Sequence, residues 1–309
     1  MNHFIDISDV TAAEIMDLLT LACDLKKKRA EGVEFKPLAG KVLAMIFSKS
    51  STRTRASFEA GMYRLGGYPM VLNASDIQLD RGEPIRDTAR VLSRYADGIM
   101  IRTYKQSDVE ELARYGSIPV INGLTDDTHP CQIMADLQTV LECKGALKGL
   151  KLAYIGDGNN VANTLLQACP KMGMHIAVAT PPAYACRKEY TDQAFAAASG
   201  TGASVSIGAD PREAARGADV VYSDTWVSMG MENDKDERVR DFSGYEVNAE
   251  LMSLAKPDAI YLHCLPAYRG MEVSDEVIEG PASRVFDEAE NRLHSQNAIL
   301  VKLLGRKKT

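Results

Sequence analysis

Hydrophobic positions along this chain change period several times, and each change predicts an element. Ile15, Leu18, Leu19, Ala22 and Leu25 recur three and four residues apart, the spacing of one helix face. Thr11 and Glu14 stand just ahead of them as a capping box, in which each side chain meets a backbone N–H that the first turn leaves open. From residue 42 short apolar runs alternate with amphipathic stretches. Val42–Phe47, 98–101 and 119–121 predict strands, with helices at Ile85–Tyr95 and 109–115. A longer helix is predicted over 132–143, followed by a connector at 144–149. A second series then starts, with strands at Lys151–Ile155, His175–Ala179, 204–207, 220–222 and 259–263. A last helix over 288–304 is placed to cross back to the first half.

Strands alternating with helices predict parallel sheets covered on both faces. Two such series predict an α/β chain of two domains, each a mainly parallel sheet flanked by helices, with the active site in the interdomain cleft. The expected division is 1–145, with 288–309 packing back on it, and 146–287. A length of 309 residues agrees, at about 150 per domain. Hydrophobic residues at 45% and charged residues at 25% rule out disordered and fibrous classes. The net charge of −6 argues against a nucleic-acid partner, yet a few arginines can still make a local positive pocket. No apolar run approaches the roughly 18 residues that cross a bilayer, so no membrane partner is expected. The first six residues lack the basic patch and apolar core of a secretory signal. Six scattered cysteines without a C-x-x-C pair predict neither disulfides nor structural zinc, and so a cytosolic protein.

Four short segments carry chemistry. Ser51-Thr52-Arg53-Thr54-Arg55 follows the strand Val42–Phe47 and opens a predicted helix. A helix N-terminus offers open N–H groups and partial positive charge, so hydroxyls and guanidiniums added there make a many-donor phosphate site. An ordinary capped helix with surface arginines is the plainer alternative. His129-Pro130-Cys131-Gln132 stands between a strand and the long helix, with the proline suited to the first turn. That leaves His129 at a C-terminal strand edge, where α/β ligands bind, although most single histidines are structural. Asp224 lies just past the strand 220–222 and can hold a substrate ammonium, while Ser228, Met229 and Gly230 form a candidate flap. A loop carrying a helix cap would read the same way. Cys264, in His263-Cys264-Leu265-Pro266, also ends a strand and could be nucleophile, ligand or polar contact; most cysteines are simply buried.

A fifth segment points elsewhere. Gly156-Asp157-Gly158-Asn159-Asn160-Val161 follows a strand and opens a helix, as a dinucleotide loop does, but Val161 replaces the third glycine of that fingerprint. A nicotinamide oxidoreductase is therefore the alternative from a different class, and a binding protein without catalysis another. No P-loop is present.

Taken together, the four motifs resemble the aspartate/ornithine carbamoyltransferase family, in family order from about residue 3 to about residue 305. Ser-Thr-Arg-Thr and His-Pro-x-Gln resemble its carbamoyl-phosphate half. Asp224-x-x-x-Ser228-Met229-Gly230, His263-Cys264-Leu265-Pro266 and the run from Phe286 to Arg292 resemble its ornithine branch. The resemblance implies that Ser51, Thr52, Arg53, Thr54, Gln78 and Arg102 hold phosphate, and that His129, Pro130, Cys131 and Gln132 meet the carbamoyl group. It implies Asn160, Asp224, Ser228 and Met229 for ornithine, with Cys264 and Leu265 lining the reacting centre and Arg292 closing it. Arg102, His129 and Cys264 are the implied catalytic groups, with no cofactor and no metal. The implied reaction is carbamoyl transfer from carbamoyl phosphate to the side-chain amine of ornithine, in arginine synthesis by preference; other amines (putrescine, N-acetylornithine, aspartate) are alternatives. In relatives the loop holding Asp80 and Arg81 reaches a neighbouring subunit, which implies a homotrimer or an assembly of trimers.

Overall fold

The computed structural model describes residues 1–228 and 232–305. The chain divides into two compact units: Met1–Gln138 with the chain from Glu290 onward, and Thr139–Ala289.

The first unit opens with α1 (Ala12–Ala30), and its capping box is formed: Glu14 N donates to Thr11 Oγ1 at 3.2 Å, and Thr11 N to Glu14 Oε2 at 3.1 Å. The five apolar positions of its predicted face are all buried. Four strands follow, β1 (Val42–Phe47), β2 (Tyr68–Asn73), β3 (Gly98–Arg102) and β4 (Val120–Leu124), in the order β2-β1-β3-β4 and all parallel. Between them run α2 (Arg53–Arg64), α3 (Ile85–Tyr95) and α4 (Gln106–Tyr115). Ala44, Ile46, Ile99, Ile101 and Val120 of the sheet pack with Ala89 and Leu92 of α3 and Val109 and Leu112 of α4.

β2 is not among the predicted strands. It is an edge strand with no fully buried position, and Pro69 beside Tyr68 masks it. β4 extends past the predicted 121 because Asn122 interrupts the apolar run, although its side chain is fully buried and hydrogen-bonded. The outer edge of β4 is covered by the N-terminal segment: Phe4 N donates to Val120 O, and Asn122 N to Phe4 O, both at 2.8 Å.

α5 (Pro130–Lys144) starts at its proline, two residues before the predicted start. The second unit is a five-stranded parallel sheet of β5 (Lys151–Ile155), β6 (His175–Ala179), β7 (Val205–Gly208), β8 (Val220–Ser223) and β9 (Ile260–Leu262). Its order is β7-β6-β5-β8-β9. Its helices are α6 (Asn160–Lys171), α7 (Lys188–Thr201), α8 (Pro211–Ala215), α9 (Lys235–Asp241), α10 (Ala249–Met252) and α11 (Asp275–Ile278). α12 (Val285–Leu304) starts in this unit and continues into the first, where Lys26 Nζ donates to Asn291 Oδ1 at 2.8 Å. Among the described residues no helix is long and apolar enough to cross a membrane.

Both sheets contain a switch point, where successive strands change the direction in which they are added. In the first it lies between β1 and β3, in the second between β5 and β8. Open α/β sheets leave a crevice there, outside the carboxyl ends of the strands.

Candidate active site

The first switch point collects three of the motifs. β1 ends at Phe47, and the chain turns through Ser48–Thr52 into α2. Ser51 Oγ accepts from Thr54 N at 3.1 Å, while Thr52 at the N-cap makes no side-chain cap. Next to this turn, β3 ends on Arg102, which is 8% exposed, and Ser48 N donates to Arg102 O at 2.9 Å. Thr54, His129, Gln132 and Arg292 are all buried. Arg292 joins them: Nη1 donates to Gln132 Oε1 at 2.6 Å and Nη2 to Thr54 Oγ1 at 3.0 Å. Gln132 Nε2 in turn donates to Asp136 at 2.8 Å. Because the Thr54 oxygen accepts from Arg292, its own proton remains for an incoming oxygen.

His129 sits in this cationic pocket, and its pKa is held well below the ordinary 6.5. Burial is the main cause, followed by the charges of Arg292, Arg102 and Arg53. It is therefore a neutral imidazole at physiological pH, able to donate one hydrogen bond without carrying charge. Cys131 faces the other way: its thiol donates to Asn122 O at 3.2 Å, and burial pushes its pKa up to about 12. It ties α5 to β4, and Pro130 beside it is buried as well. Gln78 differs from the rest. It is exposed on the 3-10 turn Gln78–Arg81 and joins none of these hydrogen bonds.

The second switch point gathers the other motifs. Asp224 follows β8 and is 5% exposed. Its Oδ2 accepts from Asn159 Nδ2 at 2.7 Å, and its Oδ1 from Thr225 N at 2.8 Å and Cys264 Sγ at 3.0 Å. Asn159 is also the cap of α6, accepting from Val161 N and Ala162 N. One side chain therefore fixes both the helix start and the carboxylate. Asn160, the first residue of α6, is half-buried, and so are Ser228, Cys264 and Leu265. Met229 and Gly230 lie outside the described residues.

Leu265 takes φ 56°, a left-handed conformation that a branched side chain adopts only when its surroundings enforce it. His263 Nδ1 accepts from Leu265 N at 2.8 Å in that conformation. Its other nitrogen faces Glu272 Oε1 at 3.2 Å, and Glu288 Oε2 accepts from His263 N at 2.8 Å. All three residues are fully buried. Asp224, His263 and Cys264 bring ligand-type atoms within 4.8 Å of one another. With both imidazole nitrogens already engaged, the group is short of a third metal ligand and fits instead a role in setting Cys264 against Asp224.

The glycine-rich segment has no room for a pyrophosphate. A Cβ on Gly158 would lie 2.4 Å from Cys186 N and 2.5 Å from Tyr184 O, so the chain's own backbone fills the space that a dinucleotide would need. Asp157 instead accepts from Arg238 Nη1 at 2.9 Å, and the same Nη1 reaches Trp226 O at 2.6 Å. Burial pushes Asp157 up to about 7, with Arg238 opposing and Asp224 adding to the rise. Arg238 lies over the Tyr184 ring, and Trp226 stacks on Phe242.

Sequence reasoning gave no role to Asn159, Arg238, Glu272 and Glu288, which brace the segments that carry the candidate contacts; Asn159 and Glu288 stand inside the segments 156–161 and 286–292, Arg238 and Glu272 in no motif. It also missed Lys49, buried between Asp126, with which it forms an ion pair, and the Tyr104 ring. A lysine two residues before the Ser-Thr-Arg-Thr motif, one more cation beside a candidate anion site, was the available signal.

Comparison with known proteins agrees with this geometry in each unit. Residues 2–142 match the carbamoyl-P binding domain model of aspartate/ornithine carbamoyltransferases, and 148–303 the Asp/Orn binding domain model. The ornithine carbamoyltransferase of Caldicellulosiruptor saccharolyticus is 59% identical, over 97% of this chain and 98% of the relative. The solved structure of the ornithine carbamoyltransferase of Pyrococcus furiosus superposes with a TM-score of 0.97 at 49% identity, covering 99% of this chain and 98% of that one. The anabolic enzyme of Campylobacter jejuni superposes at 0.92 with 43% identity, covering 98% and 99%. With both halves of its length matched by the family's two domain models, the chain belongs to the aspartate/ornithine carbamoyltransferase family.

Proposed function

We propose that this chain transfers the carbamoyl group of carbamoyl phosphate to the side-chain amine of L-ornithine, giving L-citrulline and phosphate. The observation that carries the choice of acceptor is Asp224, a buried carboxylate held by Asn159, Thr225 N and Cys264. Such an anion suits a substrate ammonium, and relatives of this similarity are named ornithine carbamoyltransferases.

The first unit is the carbamoyl-phosphate half in this reading, and the second the ornithine half. Ser51, Thr52, Arg53, Thr54 and Arg102 take the phosphate, with Gln78 supplied by a neighbouring subunit of a homotrimer. His129 and Gln132 meet the carbamoyl group, helped by the backbone at Pro130 and Cys131 and by Leu265. Arg292 keeps Thr54 and Gln132 in place. Asn160, Asp224, Ser228 and Met229 hold ornithine. Phosphate is a good leaving group, so no covalent intermediate is needed; the protein must bring a neutral amine within about 3–3.5 Å of the carbamoyl carbon. Donors at Thr54, Arg102 and neutral His129 stabilise the oxyanion that develops there. Cys264 contacts the attacking amine and carries no carbamoyl group. The setting is the cytosol, and the role is arginine synthesis; the similar ornithine carbamoyltransferase of Campylobacter jejuni is described as anabolic.

A citrulline-forming assay with ornithine, putrescine, N-acetylornithine and aspartate side by side tests this. Ornithine is expected to be the preferred acceptor. Asp224→Asn should weaken ornithine use by about 2–5 kcal/mol, because a substrate charge is left buried and unpaired. Equal carbamoylation of putrescine or aspartate would overturn the choice of substrate.

A further inference from the structure

Gln106, the first residue of α4, lies outside every motif described above, yet its amide oxygen is where a buried hydroxyl network ends. Thr125 Oγ1 donates to Gln106 Oε1 at 2.8 Å and Thr128 Oγ1 donates to it at 3.2 Å, with Asn122 Nδ2 at 3.3 Å. Thr125, Thr128 and Asn122 are all fully buried. Each threonine has one proton to give, so an acceptor at this point decides which way both hydroxyls face. With its proton committed, Thr125 Oγ1 accepts from Asp127 N at 3.3 Å and Thr128 N at 3.1 Å. Thr128 Oγ1 likewise accepts from Asn122 Nδ2 at 3.1 Å. Thr125 N donates to Thr128 O at 2.9 Å and closes the turn. The next residue is His129, whose carbonyl accepts from Gln132 N at 3.0 Å in the first turn of α5.

We propose that Gln106 is a positioning residue for carbamoyl transfer: through Thr125 and Thr128 its oxygen fixes the turn that delivers His129. This rests on the role given to His129 under the proposed function. Remove the acceptor and Thr125 Oγ1 retains the longer bond to Thr128 O at 3.4 Å, while the Thr128 hydroxyl must turn to another partner, which loosens the residue directly before the imidazole. Displacement of a catalytic group by about 1 Å can cost on the order of 100-fold in rate.

The test compares Gln106→Met, which keeps size and removes the acceptor, with Gln106→Glu, which keeps the acceptor. Gln106→Met should lower kcat about 10- to 100-fold while leaving the KM for ornithine within about twofold, since the acceptor amine is held by other elements. Gln106→Glu should recover most of the rate. Thr128→Val removes the same link from the other end and should lose a similar factor, and the Gln106→Met, Thr128→Val double variant should lose little more than either alone. A kcat for Gln106→Met within twofold of the parent overturns the proposal. So do a Gln106→Glu variant as slow as Gln106→Met and losses that multiply in the double variant. Should Gln106→Met fail to fold, Thr128→Val and Gln106→Glu still decide the matter. A parent that forms no citrulline would instead sink the proposed function, so the two failures are distinct.

Discussion

A histidine surrounded by arginines behaves unlike a histidine in water, and the consequence is measurable. Burial first, then Arg292, Arg102 and Arg53, hold the His129 pKa well below 6.5 in the folded protein. The unfolded chain binds the proton at an ordinary pKa, so below about pH 6.5 it holds more protons at this position than the folded state does. Stability contributed here is therefore intact above pH 6.5 and falls as pH drops, by up to about 1.4 kcal/mol per pH unit. Urea unfolding at pH 7 and pH 5.5 should show a smaller acid loss in His129→Gln than in the parent; equal losses would mean that His129 is protonated when folded. The residues proposed as substrate contacts stand out in the sequence by type, because hydroxyls, guanidiniums and a carboxylate suit anion and amine chemistry. The residues that orient them do not: nothing about Asn159 or Glu272 in isolation shows that one holds Asp224 and the other backs His263.

At the scale of elements, alternating apolar runs sufficed to predict nearly every strand, because buried parallel strands read as continuous hydrophobic segments. β2 escaped since an edge strand is only half covered, and the ends of β4 and α5 shifted because Asn122 and Pro130 break the pattern locally. The segment after β8 shows how an element is set by a partner far along the chain. Arg238 of α9 bridges Asp157 and the carbonyl of Trp226, two residues after Asp224. Burial raises Asp157 to about 7, so its ionic bond to Arg238 is complete only above that pH and weakens below it. Trp226 is the chain's one tryptophan, which makes its fluorescence a local reporter. Its emission should titrate with a midpoint of about pH 7 in the parent and stay flat in Asp157→Asn. A titration that persists in the variant would assign the transition to another group.

For the whole molecule, the sequence indicated two α/β halves, and the family models match one half each. Sequence alone left open the glycine loop at Gly156; the backbone packed against Gly158 is a tertiary fact that no local pattern encodes. The proposed homotrimer makes a claim on one turn in particular. Gln78 is exposed on its 3-10 turn and takes no part in the hydrogen bonds around Arg292, whereas the other residues proposed for phosphate cluster at one switch point. If that turn serves a neighbouring subunit, a complete site draws Arg53 from one chain and Gln78 from the next. Arg53→Ala and Gln78→Ala chains would each be defective alone, Arg53 by losing a charge-assisted contact of about 1.5–3 kcal/mol. Unfolded together and refolded as a mixture, they should form trimers in which about a quarter of the sites pair an intact Arg53 with an intact Gln78. Activity should then rise well above that of either variant refolded alone, and light scattering should give a trimer mass. A mixture no more active than the mean of its parts would place Gln78 outside the site, and a monomer of full activity would remove the need for a neighbour.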